Sequence, residues 1–460
     1  MAFADQGELG TANSKVSGTT ITMTTTADAP VGRLVVVMAA WDNSDSSSID
    51  GLRHYITDSA GNFYTYLGQF VSAGGVAGGA EAMIYASVVE TDLPAGGTIT
   101  CTSLTARVAK AITARQFSLG SSWFCLTDKS ELSSFAADPG SLTLSGMPSR
   151  EYLFLHALAA KGPNTDAYTW DSDYTQVTGD GTTGGTDATN QHVRGGYRIA
   201  TLTGDTVDVA STTADRTYAQ VFVAIREYTP TAAPSAALLD DFNRANETPL
   251  ASPYSAVDSA GLKLISNAVG VQAGSATPRG SLRSGFGADQ EMFATVGVDV
   301  TTAGNQIGVG AHFSNTGTTA WNGYTITSEP RAGIPDSLRL QYTVSGNVGA
   351  LTTAKMAYQY VEISAGDVIG IRTLGTVVEG WFKTGGTWRM FAAVDDSTSR
   401  SGSVGLIIQD SGTASRLDDL HAATLVTTGI KTIEGVSWPS SVKTLEALAQ
   451  ASVKTVEGLA

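Results

Sequence analysis

Apolar residues in this chain recur every second position or in short unbroken runs, and hardly anywhere with the three-to-four-residue spacing of a helix face. Residues 19–26 (TTITMTTT) and 322–329 (NGYTITSE) alternate. Residues 34–41 (LVVVMAAW), 150–160 (REYLFLHALAA) and 218–228 (YAQVFVAIREY) are near-continuous. Alternation marks a strand with one buried face, and a short continuous run marks a strand covered on both. Turn residues separate these runs, as in Asp58-Ser-Ala-Gly61-Asn62 between two strand segments of 54–70. The expected class is all-β: two antiparallel β-sandwich, jelly-roll-like domains in tandem, followed by a short repeat-bearing C-terminal segment.

A length of 460 residues exceeds one compact domain. The boundary falls in 229–239 (TPTAAPSAALL), where Pro230 and Pro234 stand among Ala, Thr and Ser. The expected division is therefore 1–228, a linker at 229–239, a second sandwich at 240–428 and a terminal segment at 429–460. The polar stretch 161–190 is expected to form surface loops around one short strand at 168–177. A net charge of −15, with no Lys/Arg cluster, argues against nucleic acid as a partner. No apolar run has the length of a membrane span. The opening MAFADQGELG has neither a basic nor an apolar leader region, so no secretory signal is expected. Cys101 and Cys125 fall on separate strands and are expected to be buried free thiols.

The motifs of catalysis are missing from the sequence. No Glu-x-Asp-x-Glu run lies in the second region, which would put an acid and a nucleophile on one strand face. Glu90-Thr-Asp92 reads as a strand end running into Pro94. The five histidines, at 54, 156, 192, 312 and 421, show no metal-ligand spacing, and His156 sits in an apolar run as a core residue would. The chain is therefore expected to be non-enzymatic.

Two constellations stand out. Asp240 and Asp241 open the second region, and Asp418 and Asp419 lie near its close. If the first and last strands are neighbours, these hard oxygen ligands could hold Ca²⁺, the one cofactor the sequence suggests. Trp321, at a loop tip, and Tyr324 could offer ring faces to a sugar.

The terminal segment repeats one phrase three times: IKTIEGV from 430, VKTLEAL from 442 and VKTVEGL from 453. Its apolar residues fall three apart: Ile430, Ile433, Val436; Val442, Leu445, Leu448; Val453, Val456, Leu459. Repeats that stack into a core of their own are usually about 20 residues or longer. These triplets are therefore expected to dock on something larger, as an attachment or oligomerisation segment.

Resemblance adds to this reading. The stretches DDFNRAN, VIGIRTLGTVVEGWFKTGGTWRMFAAVDD, GSVGLII and RLDDLHAATL resemble the concanavalin-like or laminin-G-like jelly-roll family over about 238–426. The stretches RLVVVMAAWDN, ITDSAGNFYTYLG, GGTITCTSLTARVAKAITARQFSLG and SLTLSGMPSREYLFLHALAA are similar to a module of bacteriophage structural proteins. The tail is similar to C-terminal repeats of phage tail and other virion proteins, with Glu434, Glu446 and Glu457 where Asn is usual. These resemblances imply a surface-projecting fibre, minor tail or capsid-decorating protein, assembled in the host cytoplasm and carried on the virion surface. Its implied partners are other virion proteins, further copies of itself (a trimer, by analogy with fibres) and a host surface polysaccharide. The alternative they leave is a glycan-binding adhesin or a glycan-active hydrolase.

Overall fold

A computed structural model describes residues 3–43, 54–72, 79–136, 138–186, 189–211, 215–257, 261–314, 321–331, 334–343, 357–399 and 401–425. The chain is all-β: the described residues form 32 strands and no α-helix. Among them, no helix is long and apolar enough to cross a membrane.

Two large sheets face each other across the main core. The first has twelve strands and runs from Ala4–Ser14 through the first region to Thr65–Val71. It then continues through Ala357–Tyr360 into the second region and ends at Ser255–Ala256. The second sheet has thirteen strands: twelve on its path, from Thr175–Gly181 to Trp123–Ala136 and then from Thr387–Asp395 to Leu262–Ile265, and Leu238–Asp240 paired beside that path with Arg416–Thr424. Both sheets therefore pass from one region into the other, and residues 1–425 cluster as one compact unit. A single apolar cluster fills the space between them, with Val221, Val223 and Leu126 from the first region and Phe391, Val394 and Ile371 from the second.

Each sheet crosses the seam through one backbone bridge, Tyr66 to Tyr358 in the first and Leu126 to Val394 in the second. Side chains reinforce both crossings. Tyr66 stacks on Tyr358 with ring centroids 4.1 Å apart, and the Thr65 hydroxyl donates to the Phe391 carbonyl at 2.6 Å. Gly68 lies at a bulge in this seam strand, where a Cβ would sit 2.4 Å from Val221; only glycine lets the strand approach the facing sheet so closely. At the other crossing, Asp395 accepts from Arg226 Nε and Nη2 at 2.6 and 2.8 Å and from Thr127 Oγ1 at 3.0 Å. Burial alone would raise the Asp395 pKa. The hydrogen bonds and charge of Arg226 override it and hold the carboxyl below its ordinary range.

The linker 229–239 is fastened along its course. Glu291 Oε1 accepts the Ser235 and Ala236 amides at 2.7 and 2.6 Å, and His421 Nδ1 donates to Ala236 O at 2.9 Å. Glu291 belongs to a buried row with Arg372 and Glu379, and the Tyr228 hydroxyl donates to Glu379. Both ends of the linker are thus tied to the second region.

The two regions differ in depth. Over the outer face of the first sheet lies a three-stranded sheet (Gly18–Thr24, Thr98–Arg107, His54–Asp58), which encloses a second core around Val35, Val37, Trp41 and Tyr85. Two short ribbons cover the outer face of the second sheet and enclose a third core around Phe154, Trp170 and Phe222. This explains the unbroken runs: Leu34, Val36 and Met38 face one core while Val35, Val37 and Ala39 face another. Strand 168–177 is two strands, Tyr168–Trp170 and Thr175–Gly181, because a turn closed by Tyr174 N to Asp171 O intervenes.

Candidate functional site

The four aspartates expected to hold Ca²⁺ do converge. Strand Leu238–Asp240 pairs with Arg416–Thr424, and the Asp418 pKa is raised by burial and then by the charges of Asp419, Asp241 and Asp240. They nevertheless do not build a cation site. Asp240 Oδ1 accepts from Phe242 N at 2.8 Å and Arg244 Nη1 at 2.7 Å, and its Oδ2 accepts from Tyr254 OH at 2.9 Å. Asp241 and Asp418 accept from the Asn243 and Asp419 amides. Among the described residues, no group of three or more His, Cys, Asp or Glu is placed to hold a metal. Both Asp240 oxygens, and one oxygen each of Asp241 and Asp418, are thus engaged by protein donors.

The sugar platform expected at Trp321 and Tyr324 is corrected as well, since each is only 2% exposed. Trp321 packs edge-on to Phe313 at 5.2 Å, beside Val257, Leu282 and Ile407. Tyr324 faces the main core between His312 and Tyr342, and its hydroxyl accepts from Ser399 N. A stacking sugar needs an open ring face, and neither residue presents one. The apolar triplets from Ile430 to Leu459 lie outside the described residues.

The other titratable residues are held in structural roles. Cys101 and Cys125 are free and buried, and burial pushes the Cys101 thiol up to about 12. His156 accepts from Trp170 Nε1 on Nδ1 and faces Gln220 Oε1 with Nε2, so it is a neutral core histidine; burial lowers its pKa to about 4. Asp92 accepts from the Val31 amide at 2.7 Å, joining two segments far apart in sequence.

One candidate lies where the covering three-stranded sheet stops. Its edge strand, His54–Asp58, borders the seam, and the first large sheet continues past it uncovered by that layer. The turn after this strand is rigid. Asp58 Oδ1 accepts from the Ala60 and Asn62 amides, both at 3.0 Å, and Oδ2 accepts from Asn62 Nδ2 at 2.9 Å and Tyr64 OH at 3.1 Å. Gly61, at φ +80°, closes the turn, and Asn62 Oδ1 receives the Glu90 and Thr91 amides at 2.8 Å each. Across the seam stand Tyr360 and Pro335. Together they frame a cleft of about 190 Å³ walled by Tyr55, Phe63 and Tyr360. The Tyr55 and Tyr360 rings are 5.3 Å apart and tilted by 47°. Phe63 meets Phe382 edge-on at 6.0 Å, with the Arg389 guanidinium 4.7 Å from its ring. This arrangement suits binding of a small flat ligand.

The turn was legible in the sequence; the cleft was not, because Tyr360 arrives from a strand some three hundred positions downstream.

No family model and no curated protein matches the chain. Among solved structures, it is similar to a legume lectin-like domain from Entamoeba histolytica, at 12% identity and TM-score 0.29, over 38% of this chain and 90% of that one. It is also similar to the Bacteroides ovatus protein described as xyloglucan PUL GH43B, at 11% identity and TM-score 0.31, over 50% of this chain and 47% of that one. A third likeness is to the GH43 BlXynB protein from Bacillus licheniformis, at 10% identity and TM-score 0.30, over 50% of this chain and 44% of that one. The chain thus spans about half the length of each of these two GH43 proteins. At such scores the likeness says nothing about the cleft, which is read from its own residues.

Proposed function

We propose that this chain is a non-enzymatic structural component of a bacteriophage particle: a surface-projecting fibre, minor tail or capsid-decorating protein, anchored by its C-terminal repeats. The observation that carries this reading is the passage of both large sheets from one region into the other. Twelve strands about 4.8 Å apart give a stiff plate on the order of 50 Å across. Two independent domains on a flexible linker would not hold a fixed spacing, whereas a part that projects from a particle must. The resemblance of the first region and of the tail to virion proteins supplies the particle.

Imaging labelled particles tests this directly, with density expected at the virion surface. Deleting residues 430–460 should leave the 1–425 unit folded and abolish incorporation or self-association. Normal assembly of the truncated protein would remove the anchoring role. Catalytic hydrolysis of any bacterial polysaccharide in a panel would overturn the non-enzymatic reading.

A further inference from the structure

We propose that the seam cleft binds one neutral pyranose unit of a glycan, held mainly by stacking on Tyr55 and Tyr360. Four observations lead there. First, a volume of about 190 Å³ is below the range of roughly 300 Å³ and upward that accommodates drug-sized ligands, and leaves room for about one sugar ring. Second, Tyr55, Phe63 and Tyr360 are half-buried, so their edges are fixed by the protein while part of each ring faces the cleft. The apolar C–H face of a pyranose packs on such π faces. Third, charge selects the ligand. The Asp58 carboxylate lines the cleft and is fully engaged by four donors, and no Lys or Arg is among the residues that line it. An anionic sugar would meet the Asp58 charge within the cleft, while Arg389, the cation against Phe63, does not line the cleft and is paired with Glu90 at 3.8 Å; a neutral hexose meets no such charge. Fourth, the Asp58–Asn62 turn is already locked by its own hydrogen bonds, so little ordering accompanies binding. The exposed Thr57 side chain on the rim is placed to meet a ring hydroxyl.

The cleft combines a strand edge of the first region with Pro335 and Tyr360 of the second, so it exists only where the two regions join. The proposal stands on this cleft alone and does not depend on the virion reading.

The test uses the full-length protein, with saturation-transfer NMR and calorimetric titration against methyl glycosides of glucose, mannose, galactose and N-acetylglucosamine. Methyl glucuronate serves as the charged comparison. At least one neutral glycoside should bind saturably in the millimolar range, with transfer concentrated on its ring C–H protons. Tyr55→Ala should weaken it by about tenfold, the scale of one lost stacking partner, and Tyr360→Ala by a similar factor. Tyr55→Phe, which keeps the ring, should retain most of the affinity. If Tyr360→Ala fails to fold, Tyr55→Ala, on the first region's side of the cleft, decides the matter. The proposal is overturned if no neutral glycoside saturates up to about 20 mM. It is equally overturned if glucuronate binds better, or if a folded Tyr55→Ala protein binds as the parent does.

Discussion

The first region buries apolar surface on both faces of its large sheets, whereas the second region, among its described residues, does so mainly on one. In the first, Phe154 and Phe222 point outward from the second sheet yet lie in a core under the short ribbons. In the second, the outward residues of strands Asn322–Arg331 and Ile334–Thr343 are Thr325, Thr327, Glu329, Arg339, Gln341 and Thr343, and the inward ones are Tyr324, Ile326, Leu338 and Leu340. The covering layers account for this difference. Where the short sheets cover the large ones, the strands are apolar on both faces; in strands Asn322–Arg331 and Ile334–Thr343 the outward residues are polar, although they too are buried. The seam cleft is the step between these two depths.

The comparison breaks most sharply at the seam. Asp395→Ala would leave Arg226 buried without its carboxylate, a loss on the order of 3–5 kcal/mol. Because the pair joins the regions, chemical denaturation followed by probes in either region should show the same loss. A loss confined to one region would mean that they unfold separately.

Groups in the two regions should contribute with opposite sign to the pH dependence of the single unit. In the first, burial lowers the pKa of His156 and of His192 to about 4, against about 6.5 when unfolded. The unfolded chain then takes up protons first, so stability intact above about pH 6.5 is lost as pH falls toward 4. In the second, burial first, and then neighbouring carboxylates, raise Asp299 to about 6 and Asp336 to about 7. The folded chain now holds its protons longer, so stability present near pH 4 is lost as pH rises through 7. Asp336→Asn should therefore raise the melting temperature at pH 8 and have little effect at pH 5. His156→Gln should flatten the acid side without moving the alkaline side. Melting curves at several pH values check both signs.

The smallest effect is expected at Thr327, whose buried hydroxyl has no hydrogen-bond partner among the described residues. Thr327→Val removes that polar group at nearly constant volume, so stability should change by less than about 1 kcal/mol and in the favourable direction. A large loss, read from a denaturant midpoint, would show that the outer face of this sheet is apolar-intolerant and that the contrast with the first region has another origin.

Much of this architecture was legible in the sequence, for stated reasons. The unbroken run 34–41 announced a buried strand, 150–160 announced another strand, and Asp58 to Asn62 announced a turn. What stayed hidden depended on distant partners. Strand Ala4–Ser14 carries little apolar alternation and is held by pairing with Lys110–Ser118, with bulges near Gly7 and Gly10. Strand Ala357–Tyr360 is four residues long, too short for any period to show, yet it carries the seam and one wall of the cleft. The Asp240/Asp241 and Asp418/Asp419 pairing was foreseen as proximity. The outcome was decided by Arg244, four residues along in the same DDFNRAN stretch, and by Tyr254, which the fold brings to Asp240. Trp321 looked like a loop tip because its partner Phe313 sits on the preceding strand across a connection that sequence alone does not fold back.

The two sandwich regions form one compact unit. Scanning calorimetry of the full-length chain, with and without Asp395→Ala, tests it most directly. The account predicts one transition for the 1–425 unit, with calorimetric and van't Hoff enthalpies in agreement. It also predicts that the whole transition moves down in the variant. Two separable transitions, only one of which moves, would contradict it.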